Sequence, residues 1–430
     1  MDQQKVAPGE DFRIKKLTMA MKATQKKIEL LAPAGTPEKL EIAIHYGADA
    51  VYLAGKDFSL RNLSANFSIA ELSSARRRTR ENNVKLYVAV NIYSRNSEAD
   101  AIGTYLSALR EIDPDALIIA DPAIFMQAKS KLPHIPIHIS TQANTTNVGT
   151  ARFWKKLGAV RVNAARELSL EEIKEMATES DIEVEAFCHG AMCMAYSGRC
   201  LLSGYMQNRE SNRGMCCQPC RFNYTVMEET RPGQYFPIAE DERGAYIFNS
   251  RDLCMIEHVP QMIEAGICAL KIEGRMKTIH YLAGVIKVYR EAIDAWTADP
   301  DGYHVKDRWL SELAAISNRG YCTGFYFGDP KQTNTNLENK NHPGYLFAAK
   351  VIDLVANRGV RVLVKNKIFS NAAVNVLSPH GPTRSDRIER IIGEEGGEQP
   401  LAQPGTTVVL ELGQQPRPLD LIRIPTTDGQ

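Results

Sequence analysis

Short apolar runs rich in β-forming residues recur along the chain at intervals of roughly 20–35 residues. The segments between them have helical periodicity, and two open with helix-start signals: Thr36 before Pro37, and Ser169 with Glu172 three residues later. Apolar strands that alternate with helices form parallel sheets. The runs are IELLAPA (28–34), AVYLAG (50–55), KLYVAVN (85–91), ALIIAD (116–121), IPIHIST (135–141), VRVNAAR (160–166), IEVEAFCHG (182–190) and ALKIEG (269–274).

Eight such units predict an α/β fold, a TIM-like (β/α)8 barrel. The rhythm breaks once, between the seventh and eighth runs, where a long Cys-rich insertion lies at about 188–254. Towards the C-terminus, short alternating runs separated by turn residues predict a small antiparallel β-barrel domain. The predicted organisation is a mobile N-terminal extension (1–27), the barrel with its insertion (28–300), a connecting segment (301–342) and the C-terminal β-domain (343–430).

Composition excludes several classes of protein. The net charge of +1 lacks the basic excess typical of nucleic-acid binders, so any RNA contact must come from a local patch. No uncharged apolar stretch reaches the ~18 residues that a membrane helix requires. Residues 1–27 contain five lysines after position 14 but no apolar run behind them, which argues against a secretion signal. We therefore expect a cytoplasmic, reducing location, where the nine cysteines would not form a disulfide framework.

The cysteines are concentrated in the insertion. Thiolates are soft ligands that suit iron–sulfur clusters and zinc. A zinc ribbon pairs two short knuckles, but only one exists here, ending at Cys220, while Cys193 and Cys200 are too far apart for the second. This spacing favours an iron–sulfur cluster modestly and leaves structural zinc as the alternative. The clustered residues are Cys188, Cys193, Cys200, Cys216, Cys217 and Cys220.

Polar residues follow several of the predicted strands, and in a barrel these ends form the face on which sites are built. Any one of them is explained as well by a polar loop, but together they predict a site. His189, Glu273 and Arg275 are the candidate catalytic residues, and Arg275 lies where barrels often bind anions such as carboxylates or phosphates. Other members of the set are Asn91, Asp121, Ser140, Thr141, Gln142, Arg166 and Glu167. Tyr196, Tyr205, Phe222 and Tyr224 are candidates for stacking on RNA bases, although aromatics at such positions also serve as core.

Protease motifs are absent from the sequence. It contains neither the HExxH motif of zinc proteases nor a GxSxG elbow. A dyad of His189 with Cys188 or Cys193 remains, but neighbouring residues of a strand point to opposite faces, which makes Cys188 a poor partner.

Long motifs in the insertion resemble the signature of peptidase family U32, the collagenase-like peptidases. These motifs are HGAMC (189–193), YSGRC (196–200), NRG (212–214), QPCR (218–221) and SRDLC (250–254). The phrases ELLAPAGTPEKLEIAIHYGADAVYLAG, IHISTQANTTN and LKIEGRMK are similar to the family too, so that the resemblance covers about residues 28–345.

The resemblance implies a function that the family name does not. Several members are hydroxylation factors with a [4Fe–4S] cluster, whose ligand pattern maps onto Cys193, Cys200, Cys216 and Cys254, with Cys217 and Cys220 as alternates. In length the chain is most similar to members that support 5-hydroxyuridine formation at the tRNA wobble position, with prephenate as likely co-substrate. The expected partners are thus tRNA, a small carboxylate and proteins that deliver electrons or clusters. The alternatives are a peptidase and a binding protein with a structural metal.

Overall fold

Parallel strands close on themselves to form the first body of the chain. The computed structural model describes residues 27–59, 66–193, 195–211, 215–217, 219, 225–227, 235–237, 251–328, 344–355 and 359–426. The predicted extension therefore lies outside the described residues, apart from Lys27. The strands of this part are β1 (Glu29–Pro33), β2 (Ala50–Ala54), β3 (Lys85–Val90), β4 (Ala116–Ile119), β5 (Ile137–Ile139), β6 (Arg161–Asn163), β7 (Glu183–Ala191), β8 (Thr225–Met227), β9 (Tyr235–Pro237), β10 (Asp252–Cys254), β11 (Ala269–Ile272) and β12 (Tyr321–Cys322).

The barrel consists of β1 to β7 and β11. Each of these strands pairs in parallel with the next, and β11 pairs in parallel with both β1 and β7, which closes the ring. All eight predicted runs contain one of these strands, and the predicted TIM-like barrel is confirmed. The insertion enters between β7 and β11, where its strand β10 pairs antiparallel with the end of β7 and parallel with β12.

Helices cover the outside of the barrel. The predicted start signals are confirmed, because Thr36 accepts a hydrogen bond from the Lys39 amide at 3.2 Å and Ser169 forms a capping box with Glu172. Within the described ranges, no helix combines the length and the apolar character that a membrane crossing requires. The helices are α1 (Pro37–His45), α2 (Ile69–Glu81), α3 (Ala99–Ile112), α4 (Pro122–Lys131), α5 (Val148–Leu157), α6 (Leu170–Glu179), α7 (Leu202–Gln207), α8 (Val259–Glu264), α9 (Ile279–Ala298) and α10 (Asp307–Ala314).

Buried charges occupy the N-terminal half of the barrel interior. Arg161 forms ion pairs with Glu29 at 2.7 Å and with Glu185 at 3.6 Å, and Lys271 pairs with Glu185 at 2.7 Å. Each of these four side chains is at most 7% exposed. Alternating charges across the interior satisfy one another, as buried ions must.

The C-terminal segment forms a second, antiparallel barrel, as predicted. Its closed ring runs in the order β13-β14-β19-β17-β16-β20. It is joined to the first barrel by a bidentate Arg423–Glu312 pair to α10 and by the Tyr46 hydroxyl at the end of α1, which donates to the Leu377 carbonyl at 2.7 Å. The strands are β13 (Tyr345–Val355), β14 (Gly359–Val364), β15 (Ile368–Phe369), β16 (Ala373–Leu377), β17 (Arg384–Ile392), β18 (Leu401–Ala402), β19 (Thr407–Leu412) and β20 (Leu421–Pro425).

Candidate active site at the mouth of the barrel

Amide and hydroxyl groups meet where β3 and β5 end. Asn91 Nδ2 lies 3.3 Å from Gln142 Oε1 and 3.4 Å from Ser140 Oγ, and Ser140 Oγ also contacts Gln142. The Tyr93 hydroxyl donates to the Gln142 carbonyl. The polar residues predicted at these two strand ends therefore form one hydrogen-bonded group at the C-terminal mouth of the barrel.

The insertion folds back over this mouth. Gly198 adopts a φ of +77°, and a Cβ atom at this position would lie 3.0 Å from the Gln142 side chain, so only glycine allows so close an approach. Next to it, Arg166 Nη1 donates to Ser197 Oγ. The start of the insertion is thus held against β5 and β6 rather than projecting into solvent.

Arg166 also connects the insertion to the eighth strand of the barrel. Its Nη2 atom lies 3.8 Å from Glu273 Oε2, and its guanidinium lies 3.8 Å above the Phe187 ring. Glu273, a candidate catalytic carboxylate, is therefore oriented by a buried cation in the mouth. Both charged groups stand at strand ends, on the face of the barrel where sites are usually built.

Close packing of β7 against the turn after β11 fixes the position of Glu273. Gly190 has a φ of +111°, and a Cβ atom there would lie 2.3 Å from the Glu273 carbonyl oxygen. The Glu273 amide donates to the His189 carbonyl at 2.8 Å, and the Tyr281 hydroxyl donates to the Glu273 carbonyl at 2.7 Å. The backbones of His189–Gly190 and Glu273 are therefore in direct contact, and this contact requires a glycine at position 190.

His189, by contrast, faces away from the mouth. It is fully buried, and its ring lies 5.3–5.8 Å from those of Tyr281, Tyr289 and Tyr321. Burial lowers the pKa of His189 to about 3, although Asp252 opposes the shift, so the imidazole is neutral at physiological pH. Within the part of the chain that the structure describes, Nε2 has no hydrogen-bond partner. In this conformation His189 cannot contact a substrate directly and can influence one only through the residues packed around it.

Arg275 follows Glu273 in the turn after β11. Its guanidinium is buried and donates to Ser59 Oγ at 2.9 Å, while its carbonyl accepts from Lys39 Nζ at 2.7 Å. Burial and the charge of Arg275 lower the pKa of Lys39. Two cations at the β1 and β11 ends make this side of the mouth attractive to an anion.

The predicted metal ligands are free thiols in two different settings. Cys254 stands opposite His189 in the β7–β10 register, its sulfur is 4.0 Å from the Tyr289 hydroxyl, and burial raises its pKa to about 11. Cys193, Cys200 and Cys216 are half-buried and lie in the segment after β7.

The alternates differ from these. Cys217 Sγ lies 2.9 Å from the buried Ser203 Oγ, so its thiol is already engaged with α7. Cys220 lies outside the described residues.

The chemistry of these thiols suits a cluster, but their arrangement in this conformation does not. Among the residues with described positions, no three His, Cys, Asp or Glu side chains are grouped closely enough to hold a metal ion. In this conformation the four predicted ligands are therefore not gathered around one point.

Some residues that shape the site were not predicted from the sequence. Tyr281 and Tyr289 lie on α9, where they look like ordinary core residues of an apolar helix. Asp252 is 1% exposed, contacts Arg319 and lies 3.5 Å from Lys277 Nζ. Asp252 belongs to the SRDLC motif, but that motif was noted in the sequence for Cys254 and not for its aspartate.

Comparison with known proteins supports the family resemblance across the chain. The family described as "Peptidase family U32" matches residues 35–336, and its "Peptidase family U32 C-terminal domain" matches residues 343–423. Together the two matches include the first barrel after β1, the insertion and most of the second barrel.

Two relatives that match the chain over most of its length are named for tRNA hydroxylation, and a third, matched over a shorter part, is named for proteolysis. "tRNA hydroxylation protein P1" of Bacillus subtilis (strain 168) is 38% identical, over 96% of this chain and 98% of its own. "tRNA hydroxylation protein P" of Escherichia coli (strain K12) is 36% identical, over 90% and 94%. A "Collagenase" of Porphyromonas gingivalis (strain ATCC BAA-308 / W83) is 33% identical, over 70% and 73%.

Proposed function

The chain belongs to peptidase family U32, and from this premise we propose that it is a tRNA-modifying enzyme that acts in tRNA hydroxylation. One observation carries the proposal: the chain is 38% identical to a tRNA hydroxylation protein over 98% of the length of that relative. The proposed cellular location is the cytoplasm, where tRNA is modified. The polar mouth of the barrel is where we expect the chemistry.

The product we propose is 5-hydroxyuridine at the wobble position, with prephenate as the small carboxylate. Two features of the mouth support an anionic co-substrate. Arg275 and Lys39 lie together on one side, and Arg166 reaches Glu273 on the other. In this arrangement the cations attract and orient carboxylates, and Glu273 is the group able to exchange a proton with the bound molecule.

We further propose that Cys193, Cys200, Cys216 and Cys254 bind a [4Fe–4S] cluster, with zinc as the alternative metal. Four free thiols on two segments that leave the same end of the barrel support this proposal. A bound cluster would supply electron transfer or Lewis acidity next to the mouth. The Tyr289 hydroxyl lies close enough to Cys254 to orient its sulfur. If a cluster is bound, proteins that deliver electrons or clusters are expected partners.

Among the residues that the structure describes, the surroundings of Cys188 and His189 do not favour a cysteine nucleophile. Burial raises the pKa of Cys188 well above its usual range, and its sulfur contacts the Lys271 carbonyl instead of an imidazole. His189 is buried among tyrosines, its Nδ1 atom 3.5 Å from the Tyr289 hydroxyl. We therefore do not propose peptidase activity on the basis of the family name.

Mass spectrometry of tRNA nucleosides tests the proposal directly. A strain without the gene and its paralogues should lose wobble 5-hydroxyuridine, and the wild-type gene should restore it. Glu273→Gln should fail to restore it, whereas Phe153→Ala on the distant helix α5 should restore it fully. Unchanged 5-hydroxyuridine in the deletion strain would refute the proposed function.

A further inference from the structure

Large apolar side chains are unusually exposed at the start of the insertion. Tyr205 is 92% exposed, Leu201 is 81% exposed and Tyr196 is 50% exposed. Single exposed apolar residues are ordinary on protein surfaces, but a contiguous set in one short segment marks a binding surface. We call Tyr196, Leu201 and Tyr205, with the exposed Arg199 and Arg209 among them, the aromatic face.

The aromatic face is anchored to the barrel rather than loosely attached. On the inner side of α7, the buried Ser203 holds Cys217 through two contacts, to its sulfur at 2.9 Å and to its amide at 3.2 Å. Past the end of the helix, Glu210 pairs with Arg95 near the end of β3 at 2.7 Å. The face is therefore presented beside the mouth, next to the segment in which Ser197 contacts Arg166.

Its chemistry combines ring surfaces with positive charge. Neither Arg199 nor Arg209 forms an ion pair within the described residues of the chain, so both guanidinium groups are available to an anionic polymer. Tyr205 is so exposed that its ring contributes almost nothing to the core, and folding does not account for its presence. Exposed aromatic rings interleaved with arginines are the usual means of holding single-stranded nucleic acid, because every base has a face on which a ring can stack.

From this surface we propose that Tyr205 and Tyr196 stack on bases of a single-stranded RNA loop, while Arg199 and Arg209 contact its phosphates. The inference rests on the proposed function and names the part of the tRNA that is recognised: an unpaired loop rather than a helical stem. A base has to leave its stack before an enzyme can modify its ring, and a stacking surface beside the mouth would hold the neighbours of that base.

Binding of RNA by the full-length protein tests the stacking role. The probe is a fluorescein-labelled anticodon stem-loop, with a fully paired duplex of the same length for comparison, at fixed salt. Tyr205→Ala should weaken stem-loop binding roughly 5- to 100-fold, while Tyr205→Phe, which keeps the ring, should bind like the wild type. Phe153→Ala removes a ring that is 54% exposed on α5 and should change nothing.

Salt dependence tests the phosphate contacts separately. Arg209→Gln should lower affinity and reduce the slope of log Kd against log salt by about one. Equal stem-loop binding by Tyr205→Ala and the wild type would overturn the inference. So would a wild-type preference for the duplex, or a change of oligomeric state in Tyr205→Ala with RNA affinity retained, which would make the face a protein interface.

The proposed function fails in a different way. In that case the wild-type protein itself binds no tRNA and its deletion leaves 5-hydroxyuridine unchanged. If 5-hydroxyuridine forms normally but Tyr205→Ala binds the stem-loop as tightly as the wild type, the proposed function is retained. Only the proposed role of the aromatic face in RNA binding is then wrong.

Discussion

Arg161 is the residue whose replacement should most clearly reveal how the barrel beneath the site is held together. It begins β6, is 5% exposed, and lies 2.7 Å from Glu29, 2.9 Å from Glu183 and 3.6 Å from Glu185. Arg161→Met keeps most of the aliphatic stem but removes the charge. Two buried carboxylates, Glu29 and Glu185, and the partly exposed Glu183 would then face an apolar side chain.

The size of the effect follows from what remains after the replacement. Removing one partner of a buried ion pair typically costs about 3–5 kcal/mol, because the other charge is left in low dielectric. Here Lys85 still pairs with Glu29 at 2.8 Å, and Lys271 still pairs with Glu185 at 2.7 Å, so part of the cost is offset. We expect a loss of about 3 kcal/mol in the free energy of unfolding, a large fraction of the ~5–15 kcal/mol of a typical protein.

The pH dependence of this loss has a definite sign. Burial raises the pKa of Glu29, but Arg161 and Lys85 together outweigh burial and hold it below 4.5. A lowered carboxyl pKa contributes stability above the unfolded value, and that stability is lost as pH falls through the folded value. Without Arg161, Lys85 is the remaining partner and opposes burial less strongly, so the pKa of Glu29 rises and protonation relieves part of the cost of the buried charge. The stability difference between wild type and variant should therefore be largest at pH 7 and shrink towards pH 4.5.

Urea denaturation followed by circular dichroism at several pH values measures both quantities. Lys85→Met is the matched control, because its ammonium is 57% exposed and should cost less than about 1 kcal/mol. In the double variant Arg161→Met/Glu29→Gln, removal of the facing carboxylate should recover part of the loss. A cost for Arg161→Met below about 1 kcal/mol at pH 7, or one that does not vary with pH, would show that the reasoning is wrong.

Three further outcomes are expected. Cys254→Ser should lower the iron and sulfide content of anaerobically purified protein to near background. Cys217→Ser should retain both iron and sulfide, because the Cys217 thiol contacts α7. Zinc in place of iron in the wild-type protein would contradict the proposed cluster. Glu273→Gln should reduce the rate of 5-hydroxyuridine formation roughly 10²-fold in a nucleoside assay, because it removes a proton acceptor from the mouth while the amide oxygen still offers Arg166 a partner. Arg423→Met should lower the unfolding free energy by about 3 kcal/mol and separate the calorimetric transitions of the two barrels, since Glu312 loses a buried partner; a single unshifted transition would argue against this.

The order of strands was predictable from the sequence because it depends on local periodicity. Each apolar run became a barrel strand, and the one broken interval became the insertion. The charges inside the barrel were not predictable in the same way. Arg161 and Glu29 are 132 positions apart, so their pairing depends on barrel closure, which no local pattern reports.

The site shows the same division between local and long-range information. The rule that strand ends meet at one face correctly brought Asn91, Ser140 and Gln142 together. The same rule led us to expect His189 in the mouth. Instead β7 continues beyond the barrel to pair with β10, and this extension carries His189 under the tyrosines of α9, where it is fully buried.

The two settings of the predicted ligands also bear on how a cluster would be acquired. Cys254 is fixed on a strand paired with β7, and its surroundings are buried. Cys193, Cys200 and Cys216 are half-buried and lie in the segment between β7 and β10. Because a paired strand is harder to displace than such a segment, cluster binding would bring these three thiols to Cys254, and not the reverse. Deprotonating Cys254 in its buried setting costs free energy that metal binding has to offset, which makes cluster affinity depend on pH as well as on movement of the insertion.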